Sequence, residues 1–314
     1  MAVTKLVAAG MTGSAALLSE AVHSFVDSGN EIILLYGRRR AERLPDPHFP
    51  FGYGREVYFW SFIVALLVFL LGAGVASWKG IDQIQRQEPI QRPDVIYIVL
   101  GLAALFEGTS WYITLRSFRR ASGNGSLWTT LRRSKDPPKF MVFFEDSAAL
   151  LGIVIAAAGT ALATRYSDPR IDGAASLLIG VLLAAIAVVA AGKTKDLLIG
   201  ERASPELVEE VLEIIAAVNG VEGANGMITA QLAPDQVIAI ASIAFDDSLQ
   251  TQQIERLIDE INSAVLARRP EIGRLFVMPQ TPEGFHARRQ ARFERGISPT
   301  AQESEPTSKT KLEP

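Results

Sequence analysis

Hydrophobic and polar positions divide this chain into two regions with different rhythms. Through residue 198 the apolar residues run in long blocks, broken by short polar loops. Six spans are read from these blocks: Ala2–Met11, Ser14–Tyr36, Val57–Trp78, Val95–Leu115, Phe140–Thr164 and Gly173–Ala191. The last five are near the roughly 20 residues that a helix needs to cross a bilayer. The first is short: Met1 to Thr12 gives only about 18 Å of helix against roughly 30 Å of hydrocarbon. It is expected either not to cross fully or to be the remnant of a span that begins upstream. After Leu198 the blocks give way to alternation. Pro205–Val218 places Leu207, Val208, Val211, Leu212, Ile214 and Ile215 at helical spacing, and Asn219-Gly220 ends it. Gly226–Leu232 and Val237–Ala244 read as strands around the turn Ala233-Pro234-Asp235. Leu249–Leu266 is amphipathic again, and Leu275–Met278 is a short strand. The order αββαβ suits a small sheet with helices on one face. From residue 283 to 314 the chain is polar and is expected to be disordered. The predicted fold is therefore a polytopic α-helical membrane domain over residues 1–198, a small α/β domain over 199–282, and a polar tail over 283–314.

Charge orients the spans. Arg38, Arg39, Arg40, Arg43 and Arg55 follow the second, and Arg116, Arg119, Arg120, Arg132, Arg133, Lys135 and Lys139 follow the fourth. Lys193 and Lys195 follow the sixth, while the remaining loops mix both signs. The positive-inside rule then puts both termini and the α/β domain in the cytoplasm, and the clusters touch anionic lipid. No order of segments typical of a cleavable signal peptide opens the chain. The 314 residues contain 48% hydrophobic ones and no cysteine, so disulfides and thiolate metal sites are excluded. Any metal must be held by imidazole, carboxylate, carbonyl or water.

The second span carries the chemistry. Glu20, His23, Asp27 and Asn30 fall at i, i+3, i+7 and i+10 and share one helix face. Ionisable groups inside a membrane cost roughly 3 kcal/mol or more each near its centre, so they face a pore, a partner or an ion. His23 and Asp27, one turn apart, can clasp one divalent cation from a single helix. A soluble helix with a polar stripe is the plainer reading, and the long apolar blocks around it argue against that. Asp146 is an acid in the fifth span and needs a partner, as does Glu145 beside it. Glu20 and Asn30 are candidate vestibule residues. Glu107 in the fourth span is either a proton acceptor or, preferably, a packing contact.

These residues resemble those of the cation diffusion facilitator family. Thr12-Gly13-Ser14 followed by Leu18 through Asn30 is similar to its second helix, and His48-Phe49-Pro50-Phe51-Gly52-Tyr53-Gly54-Arg55 to its loop before helix three. Glu145 through Gly152 resembles its fifth helix, and Leu197-Leu198-Ile199-Gly200-Glu201 its exit into the cytoplasmic domain. The Glu–Asp pair in helix five is similar to the subgroup that holds the animal mitochondrial zinc transporter nine. The resemblance implies six helices per protomer, a ferredoxin-like cytoplasmic domain, a homodimer, and efflux of divalent metal against protons. It implies a second metal-binding pair, His-x-x-x-Asp, on helix five; here Asp146 fits, but Val142 stands at the His position and cannot ligate. Glu145 is the replacement to consider, although it is turned about 100° around the helix. Some members carry a loop site of one Asp and two His. Here Asp46 and His48 remain, but Tyr53 stands at the second His, so any site there is weak.

The reading is a proton-coupled divalent cation antiporter of the plasma membrane of a bacterium. Its partners are the bilayer, a second copy, metal ions and protons, with no nucleic acid and no permanent cofactor. One imidazole with two or three carboxylates suits Zn²⁺, with Mn²⁺, Fe²⁺, Co²⁺ and Cd²⁺ as further cargo. His23, Asp27 and Asp146 are expected to lie within one coordination sphere even without metal. A metal-binding sensor or scaffold without transport is one alternative. An intramembrane enzyme using His23 and Asp27 as acid and base is another, and it lacks a nucleophile motif.

Overall fold

The computed structural model describes residues 2–90, 92–122 and 134–294. Six helices fill the first region: α1 (Ala2–Thr12), α2 (Ala15–Ala41), α3 (Glu56–Arg86), α4 (Pro93–Ser122), α5 (Pro137–Tyr166) and α6 (Arg170–Ile199). All six expected spans are helical. Four of these helices, α3 to α6, are long and apolar enough to cross a membrane. α2 has 27 residues but carries the polar line, and α1 has 11. The helices turn large apolar side chains outward, among them Ile98, Leu105, Val154, Val181 and Val188, each more than 60% exposed. A water-soluble fold rarely leaves such a surface, whereas lipid solvates it.

Small residues set the closest helix contacts. A Cβ on Gly80 of α3 would lie 2.7 Å from the carbonyl oxygen of Gly173 on α6, and one on Gly173 2.8 Å from that of Gly80. Gly180 likewise faces the Ser77 hydroxyl. Without a hydrophobic force between helices in lipid, this backbone approach supplies the packing energy. α3 is interrupted by a π-helical stretch at Val68–Ala73, where Val68 packs with Val26 of α2 and Ala187 of α6.

The start of α2 is pinned to α6. Ser14 caps the helix by accepting from the Leu17 N–H at 3.2 Å. Asp172 of α6 accepts from the Ser14 hydroxyl at 2.9 Å and from the N–H groups of Ala15 and Ala16 at 2.7 and 3.2 Å. A carboxylate there satisfies the orphan donors and the positive end of the helix dipole. One turn further, Ser19 and Ser176 share a hydrogen bond of 2.6 Å.

By its internal contacts the chain divides into residues 1–204 with 229–238, and residues 205–228 with those from 239 onward. After α6 the chain forms α7 (Pro205–Ala216), β1 (Val221–Ala233), β2 (Gln236–Phe245), α8 (Thr251–Arg268) and β3 (Ile272–Pro279). The sheet order is β1-β2-β3, and the expected αββαβ sequence is present. Val211 and Ile215 of α7 and Ile261 and Val265 of α8 are buried, as are Ala239, Ala241 and Ile243 of β2. Ile228, Ile240 and Phe276, one from each strand, remain exposed. Pro282–Glu294 forms a helix, α9, where the polar composition predicts disorder. Its Phe285 ring packs against Gly226 of β1, an apolar anchor that composition averages hide. The rest of the expected tail, 295–314, lies outside the described residues.

Candidate metal centre

α2 brings the imidazole and the first carboxylate together. His23 Nδ1 and Asp27 Oδ1 are 3.3 Å apart. The angle is not that of a hydrogen bond: both His23 nitrogens and Asp27 Oδ1 are buried without a hydrogen-bond partner. Each such atom costs roughly 1–3 kcal/mol. Both are ligand types for a divalent cation, which would satisfy them together.

The other acids meet Asp27 around a cavity of about 230 Å³, lined among others by Glu31, Glu107, Val142, Glu145 and Asp146. Asp146 Oδ2 accepts from the Ser110 hydroxyl of α4 at 2.8 Å. Glu145 Oε1 accepts from the Asn30 amide at 3.0 Å. The 100° turn between Glu145 and Asp146 therefore takes neither away from the cavity, and Val142 faces the same space. Glu107 also lines the cavity rather than serving only in packing. His23 is buried outside this lining. Among the described residues, no three His, Asp or Glu side chains are assembled into a metal-holding group. The expected single sphere of His23, Asp27 and Asp146 is thus not formed here.

Glu20 and Asn30 do not line water-filled vestibules. Both are buried, at 0% and 1% exposure. Asn30 is spent on Glu145, and Glu20 Oε2 lies 3.3 Å from the Lys5 ammonium of α1. Asp46 is also committed. Its Oδ1 accepts from the His48 and Phe49 N–H groups at 2.8 and 2.9 Å, and its Oδ2 from the Tyr53 hydroxyl at 2.5 Å. The Tyr53 bond, then the backbone bonds, hold the Asp46 carboxyl below its ordinary range. Tyr53 thus uses Asp46 to shape the loop.

Sequence reasoning missed Lys5, Ser110 and Asp172. Lys5 is the single charged residue in the first apolar run, which was signal enough. Ser110 and Asp172 gave none, because their partners are distant in sequence.

Residues 1–199 match the cation efflux transmembrane domain. The proton-coupled zinc antiporter SLC30A9, mitochondrial, of Xenopus laevis is 30% identical over 271 residues, which are 84% of this chain and 48% of that protein. Metal tolerance protein C4 of Arabidopsis thaliana is 29% identical over 65% of this chain and 45% of its own. The cation-efflux pump FieF of Escherichia coli is 26% identical over 85% of this chain and 83% of its own. The chain spans about half the length of the antiporter relatives it matches.

Proposed function

Because the chain belongs to the cation efflux family, the cation diffusion facilitators, we propose that it exchanges divalent metal ions for protons across a membrane. Zn²⁺ is the favoured cargo. The observation that carries this reading is the buried, unpartnered His23–Asp27 pair beside a cavity lined by Glu145 and Asp146. An imidazole and carboxylates suit Zn²⁺, Co²⁺ or Fe²⁺, and the number of acids leaves room for Mn²⁺ and Cd²⁺. His23, Asp27 and Asp146 are the first ligands, with Glu145 next and Glu107 nearby on a proton path.

Coupling follows from the ligands. Each must be deprotonated to hold metal and takes protons back after release. An imidazole changes charge near neutral pH, so His23 is the natural carrier. Small side-chain movements bring His23 and the cavity acids into one shell around the ion, and protons arriving from the other side displace it.

The protein acts as a homodimer in a bacterial plasma membrane, with both termini in the cytoplasm. Support for the orientation comes from Arg38, Arg39 and Arg40 in the last turn of α2 and from Arg119 and Arg120 in that of α4. The apolar sheet residues Ile228, Ile240 and Phe276 supply a surface for the second copy. The domains are a membrane unit to about residue 198, a cytoplasmic unit to about 282 and a tail.

The test is flux into proteoliposomes carrying a metal-sensitive dye under a pH gradient, with Zn²⁺, Mn²⁺, Fe²⁺, Co²⁺ and Cd²⁺ in turn. Zn²⁺ flux should depend on the gradient and collapse in Asp27→Asn and Asp146→Asn. Flux equal to that of empty liposomes, or unaltered in both variants, refutes the proposal.

A further inference from the structure

Lys5 is fully buried, and its ammonium donates to Glu20 Oε2 at 3.3 Å and to the Ser24 hydroxyl at 2.7 Å. Glu20 is also at 0% exposure, and its Oε1 has no hydrogen-bond partner. That oxygen presses on Gly152 of α5, where any Cβ would collide with it. One ion pair thus joins α1, α2 and α5.

Its position relative to the cavity gives it meaning. α2 and α5 run antiparallel, since Glu20 meets Gly152 and Asn30 meets Glu145. Along α2, Glu20 lies seven residues before Asp27, about 10 Å along the axis. The α2 residues lining the cavity are Ser24, Asp27, Ser28 and Glu31, all on one side of Glu20. Ser24 is the innermost, and it is the residue that binds Lys5. On α2 the cavity lining therefore stops at the residue that the pair holds. Beyond it Ala16 and Leu17 are fully buried.

We propose that Lys5 and Glu20 form an ionic gate that closes the metal site on the side away from the cavity. This rests on the transport reading: an ion that enters by the cavity leaves only if the pair parts. The pair suits the task because a charge inside a membrane without its partner is costly, so open and closed arrangements are discrete. The unpartnered Glu20 Oε1 marks it as an incompletely satisfied latch, not a fully bonded anchor such as Asp172.

The chain has no cysteine, so Ser28→Cys places a sole thiol in the cavity. Its labelling by a membrane-impermeant thiol reagent is measured from each face of oriented vesicles. In the parent, labelling should come from the cavity face. In Lys5→Met or Glu20→Gln, labelling from the opposite face should rise about tenfold or more, the response to a bias of about 1.4 kcal/mol. The exchanged pair, Lys5→Glu with Glu20→Lys, should restore one-sided labelling. If Lys5→Met aggregates, the near-isosteric Glu20→Gln carries the test. Unchanged sidedness in a folded single variant, or no restoration by the exchange, overturns the gate. Zn²⁺ flux is read in parallel vesicles of the parent protein that keeps Ser28. Absent flux in the parent counts against the transport reading, while flux with unchanged sidedness counts against the gate alone.

Discussion

Replacing Asp172 by Ala should destabilise the membrane domain by about 3 kcal/mol, within roughly 2 to 5. The carboxylate is fully buried and serves three donors: the Ser14 hydroxyl and the N–H groups of Ala15 and Ala16. Removal strands the two amides at a buried helix start, at roughly 1–3 kcal/mol each, and removes the favourable anion at the dipole, worth about 0.3–1 kcal/mol. The serine hydroxyl can turn elsewhere, and hydrogen bonds in bilayers average lower, at about 0.6 kcal/mol, so the sum stays near the middle. Asp172→Asn keeps one acceptor but turns an amide toward donors, and should lose roughly half as much. Chemical unfolding of the purified protein in detergent, followed by its tryptophan fluorescence, measures both. Metal affinity of the folded fraction should stay within about twofold, since Asp172 is remote from His23. An Asp172→Ala protein within about 0.5 kcal/mol of the parent would refute the pin and the burial argument behind it.

Three further outcomes are expected. Transport by His23→Asp should show a pH profile different from the parent's, because a carboxylate in place of the imidazole changes the protons that the site exchanges for metal; a pH profile matching the parent would transfer the proton to Glu145 or Glu107. Gly152→Ala should lower stability by roughly 1–3 kcal/mol through collision with Glu20; an unchanged melting temperature for Gly152→Ala would contradict the packing. The lowered Asp46 carboxyl stabilises its loop at pH above the ordinary carboxylate value and loses that effect as pH falls through the lowered one. Hydrogen-exchange protection of the His48 and Phe49 amides, corrected for intrinsic rates, should therefore hold from pH 8 to 5. It should fade only below roughly pH 4, and earlier in Tyr53→Phe; fading between pH 7 and 5 would sink this account.

What the sequence revealed depended on the range of the interaction. Helices α2 to α6 were legible because lipid demands about 20 apolar residues per span, and the αββαβ order because its periods are local. His23 and Asp27 were legible for the same reason: a turn of one helix fixes their separation. Asn30 with Glu145, Ser110 with Asp146 and Ser14 with Asp172 are pairs across helices, and no spacing rule reaches them. The π-helical stretch at Val68–Ala73 leaves no mark in an apolar run. The helix Pro282–Glu294 escaped because its composition is polar and its anchor is one phenylalanine.

The pin at the start of α2 makes that helix a lever. Its fulcrum is the Asp172 carboxylate, set in α6, whose glycines bring its backbone into close contact with α3. His23 lies nine residues from Ser14, about 13 Å along the arm, and Asn30 sixteen, about 24 Å. A tilt of about 5° moves the first by about 1 Å and the second by about 2 Å, from those arm lengths. One angular displacement thus shifts the imidazole by a fraction of a metal–ligand bond length while it carries Asn30 far enough to release Glu145. The helix needs no bending of its own to change what the acids of α5 can reach.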